Sequence, residues 1–130
     1  MSYQFQPPSY RARCTRVVDG DTIDVVVDVG FRISMTMRLR LVGVNTPEMN
    51  AKDPEERAGA KAAKDWLDGI LPKDNTDGAW SLRIVTRKDP DSFGRWLAEV
   101  FIKGTLGENE ASINAEALNL GHAKPFMGGK

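Results

Sequence analysis

A chain of 130 residues, 41% hydrophobic and 28% charged, has the size and composition of one globular domain that can withdraw roughly two-thirds of its surface from water on folding. Its 18 basic and 18 acidic residues cancel, so no net field steers it toward a polyanion and any anion binding must be local. One cysteine and one histidine exclude an internal disulfide, a zinc cage and a two-histidine acid–base pair, and no apolar run approaches the ~20 residues that cross a bilayer as a helix.

The opening "MSYQFQPPSYRARC" has no basic head followed by an apolar stretch, so it does not read as a secretory leader. The expectation is a cytoplasmic protein, or a secreted one if a leader has been removed. Residues 1–9 read as a loosely ordered extension, 10–127 as a single domain and 128–130 as a tail. From Arg11 to Val18 the pattern is strand-like, and Asp19-Gly20 is a pair that tight hairpins favour through positive φ. In "TIDVVVDV", Ile23, Val25, Val27 and Val29 share one face while Asp24 and Asp28 take the other. Gly30 marks the next reversal. A third strand then puts Ile33, Met35, Met37, Leu39 and Leu41 on its apolar face, and Arg32, Ser34, Thr36, Arg38 and Arg40 on its polar one.

Asp53 as a cap, Pro54 at the first helical position and Glu56 three residues after the cap predict a helix start. Its apolar stripe is Gly59, Ala62, Ala63, Trp66, Leu67 and Ile70, and Pro72 stops it. "LPKDNTDG" reads as a loop. Trp80, Leu82 and Ile84 alternate with Ser81, Arg83 and Val85 in a fourth strand, and after the turn "KDPDSFG" a fifth shows Trp96, Ala98, Val100 and Ile102 on one face. A short helix from about Ile113 to Leu120 ends at Gly121, a natural left-handed cap. The three tryptophans fall on apolar stripes and are expected in the core, and His122, just past the helix cap, is expected to be exposed or to interact with the helix dipole rather than to act in catalysis. Five strands with a helix after the third predict an α+β, mainly β fold, a five-stranded Greek-key barrel of the oligonucleotide-binding type with two packed helices.

Three polar clusters interrupt these elements: "DGDT" at Asp19 to Thr22, "RLVGVNTPE" at Arg40 to Glu48, and "DSFGR" at Asp91 to Arg95. Each alone has a plain reading as a turn or a strand exit. Together they supply acids and arginines, the residue types that phosphodiester hydrolysis wants. The diester is already anionic and attack by water adds negative charge, so the transition state favours cations fixed before reaction begins. Arginine binds phosphate through a planar fork and stays protonated at any working pH.

In this order and at these spacings the clusters resemble those of the staphylococcal nuclease, or thermonuclease, family, over about Arg16 to Pro125 and including "INAEALNLGHAKP". The resemblance implies a calcium-dependent nuclease that hydrolyses phosphodiester bonds of DNA and RNA. By position it makes Asp21 a metal ligand, puts Asn45 in the second ligand position, and has Thr46 contribute its backbone carbonyl. Asp19 would lie nearby as a weaker contributor. Arg40 and Arg95 would grip the phosphate, and Glu48 would orient or deprotonate the attacking water. Asp91, Ser92, Phe93 and Phe126 would meet the substrate, the two phenylalanines by stacking on bases.

The departures from the family pattern are informative. Asn45 stands where the family carries aspartate; an amide oxygen still coordinates calcium but brings no charge, so weaker metal binding is expected. Ser92 and Phe93 replace a lysine and a tyrosine, which removes contacts to a terminal phosphate, so cutting within a strand is expected at least as readily as cutting from an end. The alternative reading is a catalytically weakened or inactive module that binds nucleic acid or a protein partner. A monomer with no membrane association is expected in either case.

Overall fold

The computed structural model describes residues 9–73, 80–88, 96–103 and 112–125. In chain order the elements are β1 (Ser9–Asp19), β2 (Thr22–Asp28), β3 (Ser34–Leu41), β4 (Val44–Asn45), α1 (Pro54–Ile70), β5 (Leu82–Lys88), β6 (Trp96–Ile102), α2 (Ile113–Asn119) and β7 (Lys124–Pro125). The five long strands close into a barrel in the order β1-β2-β3-β6-β5. Every pairing is antiparallel except β3 with β6, where Leu39 lies opposite Trp96 and Leu41 opposite Ala98. Closure leaves none of the five as a free edge. This is the OB-like α+β architecture expected from the sequence.

Strand alternation sends Ala12, Cys14, Ile23, Val25, Leu39, Leu41, Leu82, Ile84, Ala98 and Val100 inward, all fully buried or nearly so. Cys14 is among them, and burial pushes its thiol above the ordinary range. The inner face of β3 is only half covered, contrary to the uniform apolar face expected. Leu39 and Leu41 are buried, whereas Ile33 is 57% and Met35 50% exposed. The reason is register. Only Leu39 to Leu41 meet β6, so among the described residues the first half of β3 pairs with β2 alone.

Helix α1 starts as the capping signal says, with the Asp53 carboxylate accepting from the Glu55 N–H at 3.0 Å and Pro54 following. It buries Ala60, Ala63 and Leu67, while Ala62, expected on the apolar stripe, is exposed. Beyond its last turn the Lys73 ammonium donates to the Asp68 and Leu71 carbonyls, a cation at the helix's negative end. Of the two expectations for His122, full exposure is not met: the ring is half-buried and stacks on Trp66 with centroids 5.1 Å apart. Trp66 and Trp96 pack against the core, but Trp80 lies outside it, beneath the Arg13 guanidinium at 5.4 Å.

Helix α2 is capped by Ser112, whose hydroxyl accepts from the Ala115 N–H at 3.0 Å, and is followed by Gly121 at φ 79°. Its buried Asn114 is a clamp. The side-chain amide donates to the Val42 carbonyl at 2.8 Å and the Ala98 carbonyl at 3.0 Å, and its oxygen accepts from the Val100 N–H at 3.1 Å. One side chain thereby ties α2 to β6 and to the exit of β3. Immediately after that exit, Gly43 turns the chain at φ 78° into β4, which pairs with β7.

Candidate active site

The first turn and the exit of β3 are brought together by pairing. Thr22 lies opposite Arg40 in the β2–β3 register, and the Asp21 carbonyl accepts from the Leu41 N–H at 2.8 Å. Alternation directs Leu39 and Leu41 inward, so Arg40 must leave the core on the side where the turn sits.

Asp21 is the hub. Its Oδ1 accepts from the Thr22 hydroxyl at 3.0 Å, and its Oδ2 accepts from Arg40 Nη1 and from the Thr46 N–H, each at 3.5 Å. Arg40 Nη2 donates in turn to the Val44 carbonyl at 3.3 Å. The two side chains are 11% and 19% exposed, so the ion pair is largely withdrawn from water yet open on one side. The Asp19 carboxylate accepts from the Asp21 N–H at 3.1 Å. Burial, and then the adjoining Asp21, push the Asp19 carboxyl up to about 6. Burial also penalises charge on Asp21, but Asp19, Arg40, Thr22 and the Thr46 amide outweigh it and hold that carboxyl below the ordinary range.

Close packing seats the loop after β4. A Cβ on Gly20 would lie 2.8 Å from the Ala63 Cβ and 3.0 Å from Thr46 Cγ2, so turn, loop and α1 meet at van der Waals contact there. Gly20 is not in the left-handed region. The positive φ expected of the Asp19-Gly20 pair is therefore corrected: glycine is required by proximity, not by dihedral angle. Gly59 on α1 likewise faces Pro47, whose Cγ a Cβ would approach to 3.3 Å.

Asp19, Asp21, Arg40 and Thr46 thus share one cluster. Asn45 is exposed on β4 opposite Lys124, and Glu48 is exposed three residues further on, its carbonyl accepting from the Ala51 N–H at 3.3 Å. Arg95, Asp91, Ser92, Phe93 and Phe126 lie outside the described residues. Sequence reasoning did not single out Thr22, the Val44 carbonyl or the packing role of Gly20. The Thr22 hydroxyl could have been found, because the antiparallel pairing of β2 with β3 sets it across from Arg40.

Among the described residues no three His, Cys, Asp or Glu side chains gather in one place. An ion at this turn would draw on the Asp19 and Asp21 carboxylates, supplemented by the Asn45 carboxamide and the Thr46 carbonyl. Such an all-oxygen donor set suits a hard divalent cation.

A closed five-stranded barrel with α1 packed on β1, carrying an acid–arginine cluster where its first turn meets the exit of β3, defines a nuclease-fold domain. The chain belongs to the staphylococcal nuclease homologue family, whose model matches residues 38–127. That match takes in Arg40, Asn45, Thr46, Glu48 and Arg95 and begins after the Asp19–Asp21 turn. The chain is also similar to Protein ParB of Escherichia coli, 29% identical over 116 residues that cover 87% of this chain and 55% of that protein. An uncharacterised protein of Methanocaldococcus jannaschii is 28% identical over 133 residues, covering 91% and 60% respectively. The chain spans a little over half the length of these curated relatives.

Proposed function

We propose that this domain hydrolyses phosphodiester bonds of DNA or RNA, with calcium as its resident cation. The observation that carries the reading is the placement of Arg40, set between the Asp21 carboxylate and the Val44 carbonyl beside a second acid. A guanidinium fixed in this way is oriented before substrate arrives, so its charge meets the growing negative charge on the phosphate oxygens without reorganisation. Arg95, the arginine of the third cluster, supplies the second fork in this scheme.

Glu48 takes the proton from the attacking water. Its exposure on the segment after Thr46 suits a base that must reach solvent. Asp19 and Asp21 would hold the cation together with the Asn45 and Thr46 oxygens, and Thr22 keeps the Asp21 carboxylate in place through its hydroxyl. When bound, calcium supplies Lewis-acid polarisation of the phosphate. The neutral Asn45 lowers the charge of the set, so the calcium requirement is raised.

The test is cleavage of labelled single- and double-stranded oligonucleotides across a calcium titration. Wild type cuts, chelator stops it, and Glu48→Ala lowers the rate at least ~100-fold while the unfolding transition is unchanged. Asn45→Asp lowers the calcium concentration for half-maximal rate. The neutral Asn45 also favours a second reading, a domain of this fold that binds nucleic acid without cutting it. Strands that are bound yet stay whole at every calcium concentration would establish that reading and overturn the first.

A further inference from the structure

The outer face of the β1–β2–β3 meander has no part in the cluster just described, apart from Arg40 at its end. Arg11, Arg13 and Arg16 on β1 and Arg38 and Arg40 on β3 project from it, and Arg32 stands in the turn that joins β2 to β3. Among the described residues, the carboxylates set against these six guanidinium groups are Asp24 and Asp28 on the face and Asp21, which pairs with Arg40 at its end. Asp24 accepts from Arg38 Nε at 2.8 Å, and Asp28 pairs with Arg11 at 2.6 Å. Among the described residues this face is therefore locally basic, in a chain whose formal charges cancel.

At the end of the face remote from Arg40 there is a cleft of about 530 Å³ lined by Arg11, Arg13, Asp28, Phe31, Arg32 and Trp80 among others. Its rim carries an anomaly. Phe31 is 97% exposed and sits at φ 57°, next to Arg32 at φ 63°. Glycine or asparagine fills such positions at little cost, whereas a bulky aromatic is disfavoured both by its backbone and by its exposed ring. Folding gives no reason for phenylalanine there. A π-face held clear of the surface, with arginines around it, is the equipment of a platform for unpaired bases.

Spacing links the cleft to the cluster. From Arg40 to Ser34 the strand advances six residues, roughly 20 Å at ~3.3 Å each. Phosphates of a stacked strand advance ~3.4 Å each, so about six nucleotides cover the distance.

We propose that this face is a track for a single strand of nucleic acid, with Phe31 as the stacking platform and Arg11, Arg13 and Arg32 as phosphate contacts at its far end. The track rests on the nucleic-acid reading above for the identity of its ligand but does not require hydrolysis. A duplex hides its base faces, so the unpaired strand is the preferred occupant.

The experiment is fluorescence anisotropy in chelator, where no cleavage occurs, with dye-labelled thymidine oligomers of 12 and 3 nucleotides and a 12-base-pair duplex. The 12-mer binds wild type at least tenfold more tightly than the 3-mer or the duplex. Phe31→Ala weakens the 12-mer about tenfold, the loss of one stacked base, and leaves the 3-mer unchanged. Arg32→Glu flattens the salt dependence of 12-mer binding by about one phosphate contact or more. Phe31→Asn raises the melting temperature by relieving the backbone and still weakens the 12-mer, opposite effects that a purely structural role does not produce. Equal 12-mer affinity in wild type and Phe31→Ala overturns the track. So does a duplex bound as tightly as the single strand, or a concentration-dependent dimer that Phe31→Ala abolishes. Absence of cleavage with these binding differences intact would sink the nuclease reading and leave the track standing.

Discussion

Replacing Gly20 with alanine tests the packing that seats the acid pair. The new methyl carbon would lie 2.8 Å from the Ala63 Cβ and 3.0 Å from Thr46 Cγ2, where relaxed carbon contacts are about 3.5–4.0 Å. Neither obstacle is the far end of a flexible side chain, so α1 and the turn must separate by roughly half an ångström or more. Overpacking of this kind costs about 1–3 kcal/mol. Since Gly20 is not left-handed, alanine also gains ~0.4–1 kcal/mol by restricting the unfolded chain. The steric cost wins, and a net loss of about 1–2 kcal/mol follows. In urea denaturation this is a midpoint lowered by about 1 M at an m-value of ~1–2 kcal/mol/M. Ala63→Gly removes the nearer of the two obstacles, so the double variant should recover about 1 kcal/mol relative to the sum of the single changes. A Gly20→Ala protein as stable as wild type, or a coupling with Ala63→Gly inside ~0.3 kcal/mol, would refute the contact as the reason for glycine.

Asn114→Ala removes three hydrogen bonds and strands the Val100 N–H in the interior, so a loss of about 3 kcal/mol is expected in the same assay, and Asn114→Asp should rescue little because it cannot donate to Val42 or Ala98. The Arg38 guanidinium beside Asp24 holds that carboxyl below the ordinary range, so the pair stabilises the fold above the unfolded-state pKa near 4 and the benefit fades as pH falls through the lower folded value. The pair is exposed. Asp24→Asn should therefore cost about 0.5 kcal/mol or less at pH 7 and less again in acid, by urea denaturation across a pH series.

The barrel was legible because period-two alternation is a local pattern. Ile23, Val25, Leu39 and Leu41 each announce the inner face without reference to distant residues. The start of α1 was legible for the same reason, since Asp53 and Pro54 are adjacent to what they cap. The Asp21–Arg40 pair was half legible: hairpin register sets Thr22 across from Arg40, but the approach of Thr46 and Ala63 to Gly20 depends on how α1 settles over the barrel. The exposure of Ile33 and Met35 depends on where β6 begins to pair, and the two-residue match of β4 with β7 joins positions far apart in the chain. The clamp formed by Asn114 is equally non-local. A lone asparagine in a short helix carries no mark of the three backbone groups it satisfies.

Cys14 gives the molecule its own reporter of opening. Its sulfur lies inside the barrel, and burial disfavours the thiolate that reacts with alkylating reagents. Modification must therefore wait until β1 parts from β2 and β5. The rate at which a thiol reagent consumes this single thiol then measures how often the barrel comes apart, in a protein that needs no added probe. Any ligand that grips the closed form, whether an ion at the first turn or a strand along the arginine face, should slow that chemistry in proportion to how tightly it is held.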